Sequence, residues 1–383
     1  LQRVNDADLD ERELAVGPFS LEQSTMLVLN QLGTDNETVR RRAVQFHAQT
    51  GGNPFLLTEL VGCFDPESDS FHATDIHGVL DQKLAALPAI ARPLLEVVSV
   101  SGQALDVDEA VAAVASASSY DDTLIAMRNS RLLRMVGSKV DTYHDRIRYA
   151  VMDRLETSAR RDMHARLASV IEERAGGLTD AKIDVLGTGG ELTEPKPLSR
   201  VYDLAYHWDA AGDTRRALAY GMAAAGQARG QSALEVAAEQ YALAERNASN
   251  APKAVRFRIA RGRGEALMLM GHYEQAALEL DRALPLAELP YDTADVIGLK
   301  GALARNAGMI ADSIDHLEDA IGRLGIPVPR TALGLWWGLA KEAVVQGVHT
   351  ARPGRLHRRP PDREADLCNW LLGQAEYCYY MNS

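Results

Sequence analysis

Residues 264–284 read "GEALMLMGHYEQAALELDRAL", and this stretch decides the fold. Apolar residues recur every three to four positions on both sides of Gly271. That is the spacing of two amphipathic helices joined by a turn. Glycine stops the first helix because it enters left-handed backbone without a Cβ clash. Small Ala276 and Ala283 sit where the two helices must approach closely. The pattern recurs at 204–225, "LAYHWDAAGDTRRALAYGMAAA", and at 301–321, "GALARNAGMIADSIDHLEDAI". Gly212 and Gly308 then stand in the place of Gly271, and Ala217 in that of Ala276. Another helix of the same kind, "SALEVAAEQYALAERN" at 232–247, lies between the first two copies.

Gly271 and Gly308 are 37 residues apart, close to the 34-residue period of tetratricopeptide repeats. The first interval is irregular, so the repeats are degenerate. They predict an α-solenoid over 198–383 that continues past Ser383.

Upstream, "AGGLTDAKIDVLGTGGELTEPKP" (175–197) is rich in glycine, proline and polar residues and reads as a linker or long surface loop. "TSARRDMHARLASVIEER" (157–174) reads as an amphipathic helix capped by Thr157 or Ser158. Between Asp75 and Leu155 the rhythm changes. Helices are read at "IHGVLDQKLAAL", "AIARPLLEVVSV", "DVDEAVAAVASA" and "YDDTLIAMRNS", then two β-like runs around Gly137-Ser138, then the helix "DRIRYAVMDRL". Three helices followed by a hairpin outline a winged-helix domain. Nearer the start, "RELAVGPFS" reads as a strand leading into a turn. Ser20 caps "LEQSTMLVLNQL", and "NETVRRRAVQFHAQT" ends at Gly51-Gly52, where Asn53-Pro54 begins a third helix.

Composition narrows the function. Apolar residues make up 46% and aromatics only 6%, which favours packed helices over a β-sandwich. A net charge of −12 argues against broad nucleic-acid binding. Cys63, Cys368 and Cys378 are too few for a disulfide framework and lack metal-ligand spacing, which suits a reducing cytoplasm. In "TALGLWWGLAKEAVVQGVH" (331–349), Lys341 and Glu342 interrupt the apolar run, so a buried amphipathic helix is expected and no membrane span. The chain begins at Leu1 without methionine and stops within a helical pattern, the expectation for a piece of a longer polypeptide.

No Gly-Lys dipeptide occurs, and with it no phosphate-binding loop of the G-x-x-x-x-G-K-[ST] kind. H-E-x-x-H, G-x-S-x-G and the kinase motifs are absent too, so no catalytic or metal-binding residue is assigned. "GTGGEL" (187–192) and "RGRGEA" (261–266) are read as a flexible loop and part of a repeat helix. Two signals remain: Gly52-Asn53-Pro54 at a helix corner, and Tyr143-His144-Asp145 at the end of the wing, with Arg148 one turn later. Each has a purely structural explanation, a turn for the first, and for the second Asp145 as N-cap beside a half-buried His144.

Taken in series, "GPFSLEQS", "GGNPFLLTEL", "KLAALPAIARPLLEVVSVSG", "YHDRIRYAVMDRL", "MHARLASVIEER" and "LAYHWDAAGD" resemble the signal-transduction ATPases with numerous domains. The likeness is to the bacterial members that place such a module before tetratricopeptide repeats. It covers nearly the whole chain. It implies a mainly all-α protein: the C-terminal end and helical lid of an ATPase domain (1–73), a winged-helix domain (74–156), a helix and polar linker (157–197), and repeats (198–383). By resemblance, Pro54 packs on the adenine of ATP or ADP, with Gly52 and Asn53 setting the turn. His144 faces the β-phosphate, with Asp145 and Arg148 beside it. Tyr143 stands where plant-type members carry methionine. The phosphate loop and the magnesium ligands would lie upstream of Leu1, so these residues alone are expected neither to bind ATP tightly nor to hydrolyse it.

The resemblance extends to members fused to a serine/threonine kinase, a cyclase, a histidine kinase or a DNA-binding helix-turn-helix. Residues 330–380 are similar to the repeat arms of kinase-fused members. Partners implied are the rest of the parent chain and a protein or peptide held by the repeats. Two other readings stay open. One is a scaffold without nucleotide control, to which the basic stretch "RPGRLHRRPPDR" (352–363) could add a contact. The other is a DNA-binding regulator using "YDDTLIAMRNSR", where Asp121 and Asp122 offset Arg128 and Arg131.

Overall fold

Local capping chemistry sets the first helices. Ser20 accepts from the Gln23 backbone N–H at 3.2 Å while the Gln23 side chain accepts from the Ser20 N–H at 2.9 Å, a closed capping box. It starts α1 (Leu21–Leu32); Asn36 caps α2 (Glu37–Thr50) through the Val39 N–H, and Asn53 caps α3 (Pro54–Val61). Val28, Val39, Phe46, Leu57 and Leu60 close into one core between these helices. The computed structural model describes residues 17–71, 76–114, 120–190, 197–326, 328, 332–351 and 363–382. The start of the "RELAVGPFS" run lies outside them, and its described part, 17–20, forms no strand. The chain divides into two units, Leu1–Glu156 and Thr157–Ser383.

The first unit continues through a two-residue hairpin, β1 (Phe64–Asp65) and β2 (Ser70–Phe71), too short to leave an alternating pattern in the sequence. Then come α4 (Ile76–Ala85), α5 (Ala91–Ser101), β3 (Leu105–Asp106), α6 (Val107–Val114), α7 (Asp121–Asn129), β4 (Leu133–Val136), β5 (Lys139–Thr142) and α8 (Asp145–Met152). The β4–β5 hairpin turns at Gly137, as its sequence implied. Leu105 pairs with Val140, which makes β3 the third strand of a sheet ordered β3-β5-β4. Helix, strand, two helices and a hairpin give a winged-helix topology, with Leu94, Leu105, Met127, Leu133 and Ile147 buried inside.

The second unit opens with α9 (Thr157–Ala175) and α10 (Asp180–Gly187). Here the reading of 175–197 as linker is corrected over 180–187, while 191–196 lie outside the described residues. Thr179 caps α10, and Ile183 and Leu186 are buried in the core shared with the neighbouring helices. The Leu178 N–H donates to the Tyr220 hydroxyl at 2.8 Å. Two apolar residues one turn apart suffice to dock a short helix, a signal that the surrounding glycines and acids dilute.

Helical hairpins follow: α11 (Val201–Ala211), α12 (Thr214–Gly230), α13 (Leu234–Arg246), α14 (Lys253–Leu269), α15 (Tyr273–Ala283), α16 (Pro290–Asn306) and α17 (Ile310–Arg323). Gly212, Gly271 and Gly308 all lie in the left-handed region, with φ of 82°, 82° and 81°. In each turn the next residue's N–H reaches back to a carbonyl five residues earlier: Asp213 to Trp208, His272 to Leu267, Met309 to Ala304. That is a Schellman closure. A fourth turn has the same bonds, Ala233 N–H to the Ala228 carbonyl, but its left-handed residue is Ser232, at φ 59°. The irregular interval is thereby explained: α12 pairs with α11 on one side and α13 on the other. Five residues beyond each turn sits a fully buried small residue, Ala217, Ala237, Ala276 and Ser313. Any larger side chain there would push the paired helices apart.

Two further helices close the described chain, α18 (Ala332–Ala351) and α19 (Arg363–Asn382). The expectation that the first is buried fails: Leu333, Trp336, Trp337, Leu339 and Val344 are exposed, the two tryptophans at 73% and 77%. These residues fall within about half the circumference of the helix and stay exposed there. Among the described residues no helix is long and apolar enough to cross a membrane. Most of "RPGRLHRRPPDR" lies outside the described residues.

Two stability predictions follow from the second unit. Ser232→Gly removes a left-handed L-residue and should raise stability by about 0.5–1 kcal/mol, or the melting point by roughly 1–4 °C; an unchanged or lower melting point by calorimetry would refute it. The buried Nδ1 atoms of His164 (α9) and His207 (α11) lie 2.9 Å apart, so one ring donates and the other accepts. Burial first, and for His164 the nearby Arg160, for His207 the His164 ring, hold both below the ordinary histidine range, at about 4 and about 3. The folded state thus binds fewer protons than the unfolded chain, in which histidine titrates near 6.5. The pair's contribution is complete above about 6.5 and is lost as pH falls towards about 4. Urea midpoints should fall more steeply over that window in the native chain than in His164→Asn/His207→Asn; parallel slopes would count against the pair.

Candidate functional site

Gly51 ends α2 in the left-handed region, and Gly52 follows at φ +76°. A Cβ on Gly52 would stand 2.2 Å from the Phe19 carbonyl oxygen, so no larger residue fits without moving the backbone. The Phe19 N–H donates to the Gly52 carbonyl at 2.8 Å, which ties "GPFS" to the "GGNP" corner. Asn53 Oδ1 accepts from the Phe55 and Leu56 N–H groups at 3.0 and 3.2 Å. Pro54 occupies the first turn, where its missing N–H costs nothing, and is exposed.

Phe55, which the sequence reading passed over as one more apolar helix residue, joins the two motifs. Its ring stacks on His144 with centroids 4.6 Å apart and planes inclined by 8°, and meets Tyr143 at 5.5 Å. Residues some ninety positions apart thus share one aromatic joint. One signal was available: the core-facing positions of α3 are Leu56, Leu57 and Leu60, and Phe55 falls off that face.

His144, not Asp145, is the N-cap of α8. Its backbone is extended, at φ −152° and ψ 148°, and its Nδ1 accepts from the Arg146 N–H at 3.1 Å. Asp145 is already helical, so its carboxylate sits in the first turn, favoured by the helix dipole and 3.7 Å from Arg148. With Nδ1 accepting, the neutral ring carries its proton on Nε2. Burial lowers the His144 pKa; Asp145 opposes the shift, and Arg146 and Arg134 add to it. At neutral pH the ring offers one N–H donor and no charge.

Arg148 is turned inward. Its Nη1 donates to the Gly102 carbonyl at 2.8 Å and its Nη2 to buried Asp141 at 2.7 Å. Asp141 also takes Arg134 at 2.8 Å and the Thr142 N–H. This network pins the end of α5, the wing and α8 together, and so fixes the residue that precedes α8, His144.

A second concavity lies within the repeats. It is a groove of about 1120 Å³ along α12, α14, α16 and α19. Its floor is a chain of charges: Arg229 to Glu265 at 2.5 Å, Glu265 to Arg261, and Arg261 to Asp295 through two bonds of 2.7 and 3.1 Å. Tyr241, Phe257, Tyr291 and Trp370 supply aromatic surface. No cluster that could hold a metal occurs among the described residues.

No protein-family model and no curated protein matches the chain. Among solved structures it is similar to a Signal Transduction ATPase with Numerous Domains protein with a tetratricopeptide repeat sensor from Pyrococcus horikoshii. The two are 11% identical, with a TM-score of 0.34, over 95% of this chain and 57% of the other. The chain therefore spans 57% of that protein's length, and a likeness this slight carries no argument about function.

Phe55→Ala should cost about 1–3 kcal/mol through the lost ring contacts. It should also raise the His144 pKa towards the ordinary histidine value, since burial is its main depressant. Imidazole NMR titration of the 383-residue chain reads this directly; an unmoved His144 would mean the stack does not shelter the ring.

Proposed function

We propose that the chain is a regulatory piece of a nucleotide-governed signalling switch, with lid and winged helix as the sensing half and the repeats as an arm that binds a protein partner. What carries the reading is the Phe55–His144 stack, which sets the Gly52-Asn53-Pro54 corner against the Tyr143-His144-Asp145 motif. The exposed Pro54 would take the adenine face, and the Nε2–H of a neutral His144 would donate to a phosphate oxygen of ADP. Arg148 and Asp145 act as positioning groups: Arg148 holds the end of the wing, and Asp145 supports the first turn of α8. The corner's backbone is already set by Gly52 and Phe19, so nucleotide would find the lid half of its site formed.

The phosphate loop and magnesium carboxylates belong, in this reading, to a nucleotide-binding core outside these residues. Nucleotide would then fasten the joint, and its exchange would free the repeats. The parent is read as an ATPase of the cytoplasm, with a serine/threonine kinase as the favoured output. A scaffold without nucleotide control is the second reading, and the groove in the repeats supports it equally well.

Calorimetry separates them. The 383-residue chain alone should show no saturable micromolar ATP or ADP binding. In the intact parent, His144→Ala should weaken ADP roughly tenfold or more, the worth of one hydrogen bond to a charged group. An unchanged ADP affinity would leave only the scaffold.

A further inference from the structure

α18 differs from the other helices of the second unit in making no extended contact with any described element. Helices in proteins draw most of their stability from packing an apolar face, and this one, 20 residues long, presents such a face to solvent. Leu333, Trp336, Ala340, Ala343, Gly347 and Thr350 are all exposed and follow one another at intervals of 3, 4, 3, 4 and 3. That is the a/d spacing of a coiled-coil seam. Trp337, Leu339 and Val344 flank the seam and are exposed as well.

The order of sizes along the seam says what covers it. Leu333 and Trp336, the bulky residues, stand at its N-terminal end, and Ala340, Ala343 and Gly347 follow. A second α18 running antiparallel, with the two-fold axis between positions 341 and 342, sets Trp336 over Gly347, Ala340 against Ala343 and Leu333 against Thr350. No layer then holds two bulky residues, and each pairs an a position with a d position. A Cβ on Gly347 would meet nothing within 4 Å, so the space beside it is open to an indole. Parallel pairing would set Trp336 against Trp336 and Gly347 against Gly347, a collision in one layer and a void in another.

A lipid surface would ask for cations beside the apolar face. Lys341 is the one lysine or arginine of α18, and the arginines of 352–363 follow the helix in sequence. The area suits a second copy. Two tryptophans and three aliphatic side chains from each chain would bury on the order of 1,000 Å², near the lower end for a specific interface.

We propose that α18 is a dimerisation helix, which pairs antiparallel with α18 of a second copy of this chain, Trp336 over Gly347 and Ala340 against Ala343. The small interface makes the dimer reversible, with a dissociation constant on the order of micromolar. It asks nothing of nucleotide, so it stands or falls independently of the switch reading.

Sedimentation velocity of the 383-residue chain, from roughly 1 to 200 µM, tests the pairing. A reversible monomer–dimer equilibrium is expected. Gly347→Trp sets indole against indole and Trp336→Gly leaves a void, so each alone should weaken the dimer roughly tenfold or more. Trp336→Gly/Gly347→Trp exchanges the two residues across the seam and should restore affinity to within about threefold of the native chain. Both positions are exposed, so all three variants should melt with the native chain at concentrations below the dimer range. A native chain that stays monomeric up to the top concentration overturns the proposal, as does a dimer indifferent to both single variants. Single variants that weaken the dimer without rescue by the exchange overturn the antiparallel register. Flotation of a monomeric chain with phosphatidylglycerol vesicles would assign the face to a lipid surface instead.

Discussion

Each hairpin of the second unit depends on one backbone excursion. A single residue must enter the left-handed region so that the next N–H can close on a carbonyl five residues back. Only then does the chain reverse tightly enough for a small residue five positions later to meet the preceding helix. Gly212, Ser232, Gly271 and Gly308 all satisfy this, and Ala217, Ala237, Ala276 and Ser313 are fully buried as a result. The groove on the first helices exists because these reversals keep α12, α14 and α16 beside one another.

The same constraint explains what could be read in the sequence. A glycine between two amphipathic runs is visible wherever glycine fills the left-handed position, and three of the four turns, at Gly212, Gly271 and Gly308, were found that way. Ser232 breaks the rule at the level of residue type while obeying it in the backbone, so its turn was hidden. Helices capped by Ser20, Asn36 and Asn53 were legible because the cap is a local side-chain event. The small strand β3 was not, since its partner lies more than thirty residues away and it has two residues in which to signal. α10 was missed because it carries too few apolar residues, whereas α18 carries an apolar side that stays exposed among the described residues.

In the first unit both motifs were legible, but not the contact that joins them. Phe55 and His144 are unremarkable in isolation, and only tertiary packing stacks them. The cap of α8 was misassigned by one residue because aspartate is the commoner capping group. The correction matters chemically. One imidazole nitrogen is committed to starting a helix, so the ring's outward chemistry is that of the other nitrogen alone.

α12 belongs to two hairpins at once, with α11 on one side and α13 on the other. An array of separate pairs can lose one pair and keep the rest, because each interface is a boundary between units. Here there is no such boundary from Val201 to Arg246. Those three helices share one core with Val255 and Ile259 of α14, so they must melt together, and amide exchange across them should report a single opening event that does not stop at α13.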